Sequence, residues 1–332
     1  MRRVLFFALF LLPAGLQAET FARTQILMGD VPVTLTVDAK QTRREKAFLA
    51  MEKAFEEARR LENAVSEWRP ESQATLLNRN AGRALVPVDG DMLRILLRAN
   101  EIAEMTDGAF DITFASKKKN VTYRDVVVLP ELGLAYLRPG VKIGVSGIAK
   151  GYIVDSMSRI LRKAGFKKFL VDAGDLYASG RWTIGIRNPD QPGGRGTLCE
   201  IDVETQAVST SGLYERGAHI IDPRTRKPAM GLKSVTVISP TSMTADALAT
   251  GFFVLGPEES EKVLADHPEI RAVFVRSGTS SPPRCARLPS WRSDASRRSW
   301  RRSTGTPSSP DSEPPEPRPL RDSQWASAAS PR

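Results

Sequence analysis

Cysteine and histidine are scarce in this chain of 332 residues: two of each. So few thiols exclude a disulfide-stapled scaffold and a cysteine-based zinc centre, and two imidazoles leave nothing for a histidine-rich metal cluster. Long apolar runs are missing as well; no stretch reaches the eighteen residues that a bilayer span requires, so no membrane span is expected in the mature chain. Also absent is a basic stripe with interleaved aromatics. The formal charge of +10 suggests nucleic acid at first sight, but residues 277–332 hold ten Arg, five acidic residues and no Lys, which is half of it. Arg2 and Arg3 add two more, and the remainder is spread thinly over the body, so no nucleic-acid partner is expected. No short-period repeat is visible.

The two ends do not read as fold. Residues 1–18 have the form of a secretory signal: Arg2-Arg3, an apolar run from Val4 to Leu12 broken by Pro13, and the small-residue site Leu16-Gln17-Ala18. This predicts an exported, periplasmic, soluble protein whose body spans 19–276. After Arg276 come fourteen Ser, ten Pro and ten Arg in 56 residues, without Val, Ile, Phe, Tyr or Met. Such a segment buries too little apolar surface to offset chain ordering, so 277–332 is expected to be disordered. The switch falls inside the strand-like run Arg271–Arg276, which reads as a change of reading frame that truncates the body. Cys199 has only Cys285, in that tail, as a possible partner, and a buried free thiol is expected.

Between these ends, periodicities alternate. Val31, Val33, Leu35 and Val37 recur at every second position beside a Gly29-Asp30 turn, predicting a strand pair over 24–38. Phe48, Met51, Phe55, Ala58, Leu61 and Val65 recur at three and four, predicting an amphipathic helix. A second helix is expected from a cap at Asp89 or Asp91 to Gly108, a third from Gly147 to Gly165, and a fourth from Thr244 through Phe253, with Pro257 opening a shorter one. Short strands are expected at 169–171, 182–186, 198–203 and 234–238. Helices and strands mix without strict alternation, so the fold class expected is α+β with antiparallel sheet.

Polar, glycine-punctuated patches sit at the ends of these elements, where loops on a rigid frame carry chemistry. They are Ser66–Ser72; Thr106–Thr113, with Asp111 behind Phe110; Gly144–Tyr152, with Lys150 near a helix start; Ser209–Gly212 with His219–Thr225; and Thr244–Thr250. Glycines and a lysine at a strand-to-helix junction suit phosphate, although neither the Walker A nor the GxGxxG spacing is present. Asp246 and Thr250 lie one helical turn apart and share a face. A carboxylate in an apolar helix calls for a partner or a metal, and two hard oxygens beside a carbonyl suit Mg2+, which takes the rest of its shell from water and substrate phosphate. A plain N-terminal cap at Thr244, with Asp246 in the first turn, would account for the same residues.

In this order the patches resemble the ApbE family, the FAD:protein FMN transferases, over about 27–256. The resemblance is carried by Met28-Gly29, the Ser66…Trp68…Pro70…Ser72 turn, Asp107–Asp111, Gly147–Gly151, Thr210–Gly212, His219–Thr225 and Ala245–Thr250. It implies a T-fold-related α+β architecture of mixed or antiparallel sheets with packed helices. It also implies Mg2+-dependent transfer of FMN from FAD to a threonine hydroxyl of a partner flavoprotein, exported or membrane-bound, with release of AMP. Met28, Trp68, Ala109, Phe110, Asp111, Lys150 and Ile220 fall on FAD-contact positions; Asp246, Thr250 and the carbonyl of Gly147 fall on metal positions. A threonine hydroxyl needs a base, for which His219 is the candidate and Asp222 the fallback. Gly144 stands where the family carries an aspartate that contacts FAD. Two other readings use the same residues: an Mg2+-dependent FAD pyrophosphatase yielding FMN and AMP, and a non-catalytic flavin-binding protein of the periplasm.

Overall fold

The computed structural model describes residues 18–191, 196–213 and 220–277. The expected signal segment and the Ser/Arg/Pro-rich tail lie outside these residues, apart from Ala18 and Ser277.

The first alternating run forms a hairpin, β1 (Ala18–Leu27) and β2 (Val31–Lys40), closed by Met28-Gly29-Asp30. In β2, Val33, Leu35, Val37 and Ala39 point inward, as period-two alternation requires. The chain continues through β6 (Lys168–Asp172), β7 (Leu176–Arg187), β8 (Thr197–Gly212), β11 (Leu232–Ser239) and β12 (Arg271–Arg276). Among the described residues these strands make one seven-stranded sheet in the order β1-β2-β6-β7-β8-β11-β12. Every neighbouring pair in it is antiparallel. β3 (Val86–Pro87), β4 (Val126–Leu129) and β5 (Leu134–Leu137) form a small second sheet, and β9 (Ile221–Asp222) pairs with β10 (Lys227–Pro228).

The helices are α1 (Arg44–Val65), α2 (Gln73–Arg79), α3 (Gly90–Met105), α4 (Ser146–Lys163) and α5 (Ser242–Asp266). Asp89 caps α3, its Oδ1 accepting from the amides of Asp91 and Met92 at 2.9 Å each. The cap of α5 is Thr241 rather than Thr244: the Thr241 hydroxyl accepts from the Thr244 amide at 3.3 Å. Asp246 is therefore deeper in the helix than a capping position. Gly256 takes a φ of 77° and bends α5 ahead of Pro257, where the sequence suggests a second, shorter helix.

The main core lies where α1, α4 and α5 cover one face of the large sheet, with Leu35, Phe169, Tyr177, Ala207 and Val237 inward. Their chain neighbours Ala178, Val208 and Ile238 face the other way and build a second, smaller apolar cluster. Cys199, on β8, is half-buried and disulfide-bonded, so the expected buried free thiol is corrected.

α4 and α5 cross at very close range because position 151 has no side chain. A Cβ on Gly151 would stand 2.3 Å from the Ser242 carbonyl oxygen and 2.7 Å from the Met243 Cα. One turn further along α4, the Asp155 carboxylate accepts from the amides of Ser242 and Met243 at 2.8 and 2.9 Å, holding the start of α5. Burial pushes the Asp155 carboxyl up to about 6, against the pull of those two amides.

Two tests follow from this crossing. Gly151→Ala forces backbone apart and should lower unfolding stability by about 3 kcal/mol in denaturant titration, the upper range for overpacking; an unchanged midpoint would mean a looser crossing. The second test is pH. A carboxyl raised from 3.8 to about 6 adds stability below pH 4 that is lost as pH rises through 6. Asp155→Asn should therefore flatten the decline in stability between pH 4 and 7, a difference on the order of 3 kcal/mol, measured by urea unfolding across that range.

Candidate active site

The α4–α5 crossing forms the wall of a cavity of about 800 Å3, within the size range of small-molecule and cofactor sites. Five groups of residues line it. The hairpin turn contributes Met28 and Gly29; the exit of α1 contributes Glu62, Ser66, Glu67, Trp68 and Arg69. The loop after α3 supplies Ala109, Phe110, Asp111 and Phe114. Gly144, Gly147 and Lys150 come from the start of α4. Asp175, Ser211, Ile220, Pro223, Asp246 and Thr250 complete it from the strands and α5. The structure thus brings Met28, Trp68, Ala109, Phe110, Asp111, Gly147, Lys150, Ile220, Asp246 and Thr250 around one cavity. His219 lies outside the described residues.

The floor holds the charge. Asp246 is 6% exposed, and its Oδ2 accepts from the Gly151 amide at 2.9 Å. That amide's ordinary helical acceptor is the carbonyl of Gly147, one turn back, and a carbonyl oxygen with two lone pairs retains capacity toward the cavity. Thr250 Oγ1 stands 3.2 Å from Ser211 Oγ and 3.9 Å from where a Gly147 side chain would begin. Burial, then the charge of neighbouring Asp175, pushes the Asp246 carboxyl well above the usual carboxylate range, while Lys150 and the Gly151 amide act the other way.

Asp175 is the residue that reading the sequence missed. It is 1% exposed at the turn from β6 to β7, forms an ion pair with Lys150 Nζ at 3.0 Å, and accepts a hydrogen bond from Ser209 Oγ. In sequence, Asp172-Ala173-Gly174-Asp175 looks like a turn, and nothing local marks the second aspartate. Ser209 and Ser211 look like a polar loop but sit two apart on β8, so both reach one face, toward Asp175 and Thr250.

The donor set can be tested against a divalent ion. No cluster of three or more His, Cys, Asp or Glu with metal-binding geometry exists among the described residues. The Asp246 carboxylate, the Thr250 hydroxyl and the Gly147 carbonyl are all hard oxygens, too few to enclose Ca2+ and well suited to Mg2+ that keeps waters or phosphate oxygens.

Recognition groups sit higher. Trp68 is 82% exposed, offering its ring to the cavity mouth. Phe110 is buried against Gly147 and Gly251, so it is core as much as lining. The Asp111 carboxylate is spent within its own loop: Oδ1 accepts from the Thr113 amide and hydroxyl, both at 2.7 Å, and Oδ2 from the Tyr123 amide at 2.8 Å. Its carboxyl is raised by burial, against those bonds. Met28 takes a φ of 52°, and its amide donates to Glu62 Oε2 at 2.9 Å, while Glu62 Oε1 holds Arg69 at 2.6 Å. At Gly144 the space for a side chain is filled: a Cβ there would meet the Phe114 ring at 2.9 Å and Glu67 Oε1 at 3.5 Å. Glu67 thereby supplies a carboxylate beside Gly144, and its Oε1 accepts from the Ser146 amide at 3.3 Å. Asp222 is poorly placed as a base. Burial alone would raise it, but the Arg224 guanidinium and amide hold its carboxyl below the usual range.

The chain is similar to several known proteins. The FAD:protein FMN transferase of Treponema pallidum is 30% identical over 311 residues, covering 78% of this chain and 85% of that protein. One from Klebsiella pneumoniae is 29% identical, covering 80% and 93%. Among solved structures, the ApbE protein of Thermotoga maritima superposes with a TM-score of 0.70 at 27% identity, over 79% of this chain and 96% of that one. The flavin transferase ApbE of Vibrio cholerae, at 21% identity and a TM-score of 0.66 over 80% and 96%, shares the fold. The family model described as "ApbE family" matches residues 28–119 and 114–274, nearly the whole described body, with the cavity lining inside it. The chain belongs to the ApbE family.

Proposed function

We propose that this protein transfers FMN from FAD to a threonine hydroxyl of an acceptor flavoprotein, with Mg2+ bound and AMP released. The observation that carries the reading is the cavity floor: Asp246, Thr250 and Gly147 beside Lys150, all lining one cavity of about 800 Å3. The relatives, FAD:protein FMN transferases of Treponema pallidum and Klebsiella pneumoniae, support the same transfer. The signal-like residues 1–18 support a periplasmic site of action and an exported or membrane-bound acceptor.

In this mechanism Asp246, Thr250 and the Gly147 carbonyl would hold Mg2+. When bound, that ion would offset charge on the diphosphate and make its phosphorus more electrophilic. Lys150 and the amides at the start of α4 bind and orient the same diphosphate. Trp68 presents a flat apolar face to an aromatic ring of FAD, and stacking there is worth roughly 1 kcal/mol beyond area burial. The threonine oxygen forms a bond to the FMN phosphorus as the bond from that phosphorus to the bridging oxygen breaks. AMP leaves with the bridging oxygen, and the hydroxyl proton passes to a base. His219 is the proposed base because it directly precedes Ile220, which lines the cavity.

Incubation with FAD, Mg2+ and an exported flavoprotein acceptor should add the mass of FMN to that acceptor. Free FMN and AMP without labelling would indicate hydrolysis, and intact FAD would indicate binding alone. Asp246→Ala should abolish labelling, and wild-type rates in that variant would refute the metal assignment. His219→Ala should slow labelling by about 100-fold or more, the usual scale of general-base contributions, with FAD affinity retained in a fluorescence titration; an unaltered rate would remove it as base.

A further inference from the structure

One buried charge has no part in the mechanism above. Asp175 is a second carboxylate beside Asp246 on the cavity floor, and both are almost fully buried. Placing two carboxylates side by side is disfavoured twice, by desolvation and by repulsion. If the fold needed only to neutralise Lys150, Asp246 alone would serve. Asp175 is nevertheless firmly held. Its backbone carbonyl accepts from the Ala173 amide at 2.9 Å, and the Gly174 amide donates to Asp172 Oδ1 at 2.9 Å, fixing the turn that presents it. Ser209 Oγ donates to one of its oxygens, and Lys150 Nζ lies 3.0 Å from the other.

We infer that Asp175 is a positioning residue for the divalent cation: it engages the Lys150 ammonium, so that the Asp246 carboxylate is left for the cation. The inference rests on the proposed Mg2+ site. The charge count gives the reason. With Asp246 and Lys150 alone the floor is neutral, and an entering cation must displace the ammonium from the only carboxylate. Adding Asp175 makes the ionised cluster net negative by one, the sign that complements a dication. Lys150 then has an anchor of its own, from which its charge is available to the diphosphate. Asp175 is thus assigned no contact with substrate; it acts through Lys150. Partners of this kind, one step removed from the ion, commonly change metal affinity by 10–100-fold.

The test uses the full chain without FAD and Mn2+ as the probe, a hard-oxygen stand-in for Mg2+ whose free concentration is read by electron paramagnetic resonance. Asp175→Asn should weaken Mn2+ binding by about 10–100-fold, with far-UV circular dichroism unchanged. Removing the released ammonium, in Asp175→Asn combined with Lys150→Met, should recover part of that loss, which a merely structural role for Asp175 would not predict. Wild-type Mn2+ affinity in Asp175→Asn, alongside loss of binding in Asp246→Asn, would overturn the inference and leave the metal site standing. Wild-type affinity in Asp246→Asn as well would overturn the metal site itself. No recovery in the double variant would also overturn the role given to Lys150. If Asp175→Asn fails to fold, Ser209→Ala decides: it loosens the carboxylate without removing it. Mn2+ binding weakened several-fold supports the inference, and unchanged binding overturns it.

Discussion

The site depends on a contact between two backbones. At Gly151 the start of α5 comes nearer to α4 than any side chain would allow, and at that point the Gly151 amide reaches Asp246. An isolated carboxylate at this depth would shed its charge or destabilise the fold. Here the Gly151 amide bonds it and the nearby Lys150 charge favours its ionised form, against burial and the charge of Asp175. The same approach sets the Gly147 turn opposite Thr250 and brings Lys150 beside Asp175. Residues of α4 and α5 thus converge on one floor where position 151 lacks a Cβ.

The cavity divides its labour by depth. Its floor is charged, with Asp175 and Asp246 almost fully buried, and is built largely from helix and strand residues. Its mouth is built from loops with exposed aromatic surface, Trp68 and Phe114. Preorganised charge belongs on rigid elements, because electrostatic stabilisation is strongest where donors need not move. Recognition of a flat ring tolerates a looser frame. At Gly144 the Phe114 ring and the Glu67 carboxylate occupy space that a side chain at 144 would otherwise claim.

What the sequence made legible was whatever periodicity or local chemistry could express. Alternation at Val33, Leu35 and Val37 marked β2, the three-and-four spacing from Phe48 to Val65 marked α1, and the one-turn separation of Asp246 and Thr250 marked a shared face. What stayed hidden was tertiary. β3 is two residues long and exists only by pairing with β5, so no pattern could announce the small sheet. Ser209 and Ser211 look like loop residues until β8 is seen to run through them. Asp175 looks like the end of a turn until α4 and α5 fold over it. The cap of α5 lies three residues ahead of Thr244, because Thr241-Ser242-Met243-Thr244 offers two candidates and only geometry selects Thr241. Cys199 illustrates the opposite limit: composition alone suggested a lone thiol, and pairing is not a local property.

Glu62 sits at the end of α1 with one oxygen on the Met28 amide and the other on the Arg69 guanidinium. A single side chain thereby stitches the hairpin turn to the segment carrying Trp68, two lips that are otherwise far apart along the chain. The two lips therefore share one anchor, and removing that carboxylate would release both sides of the mouth at once.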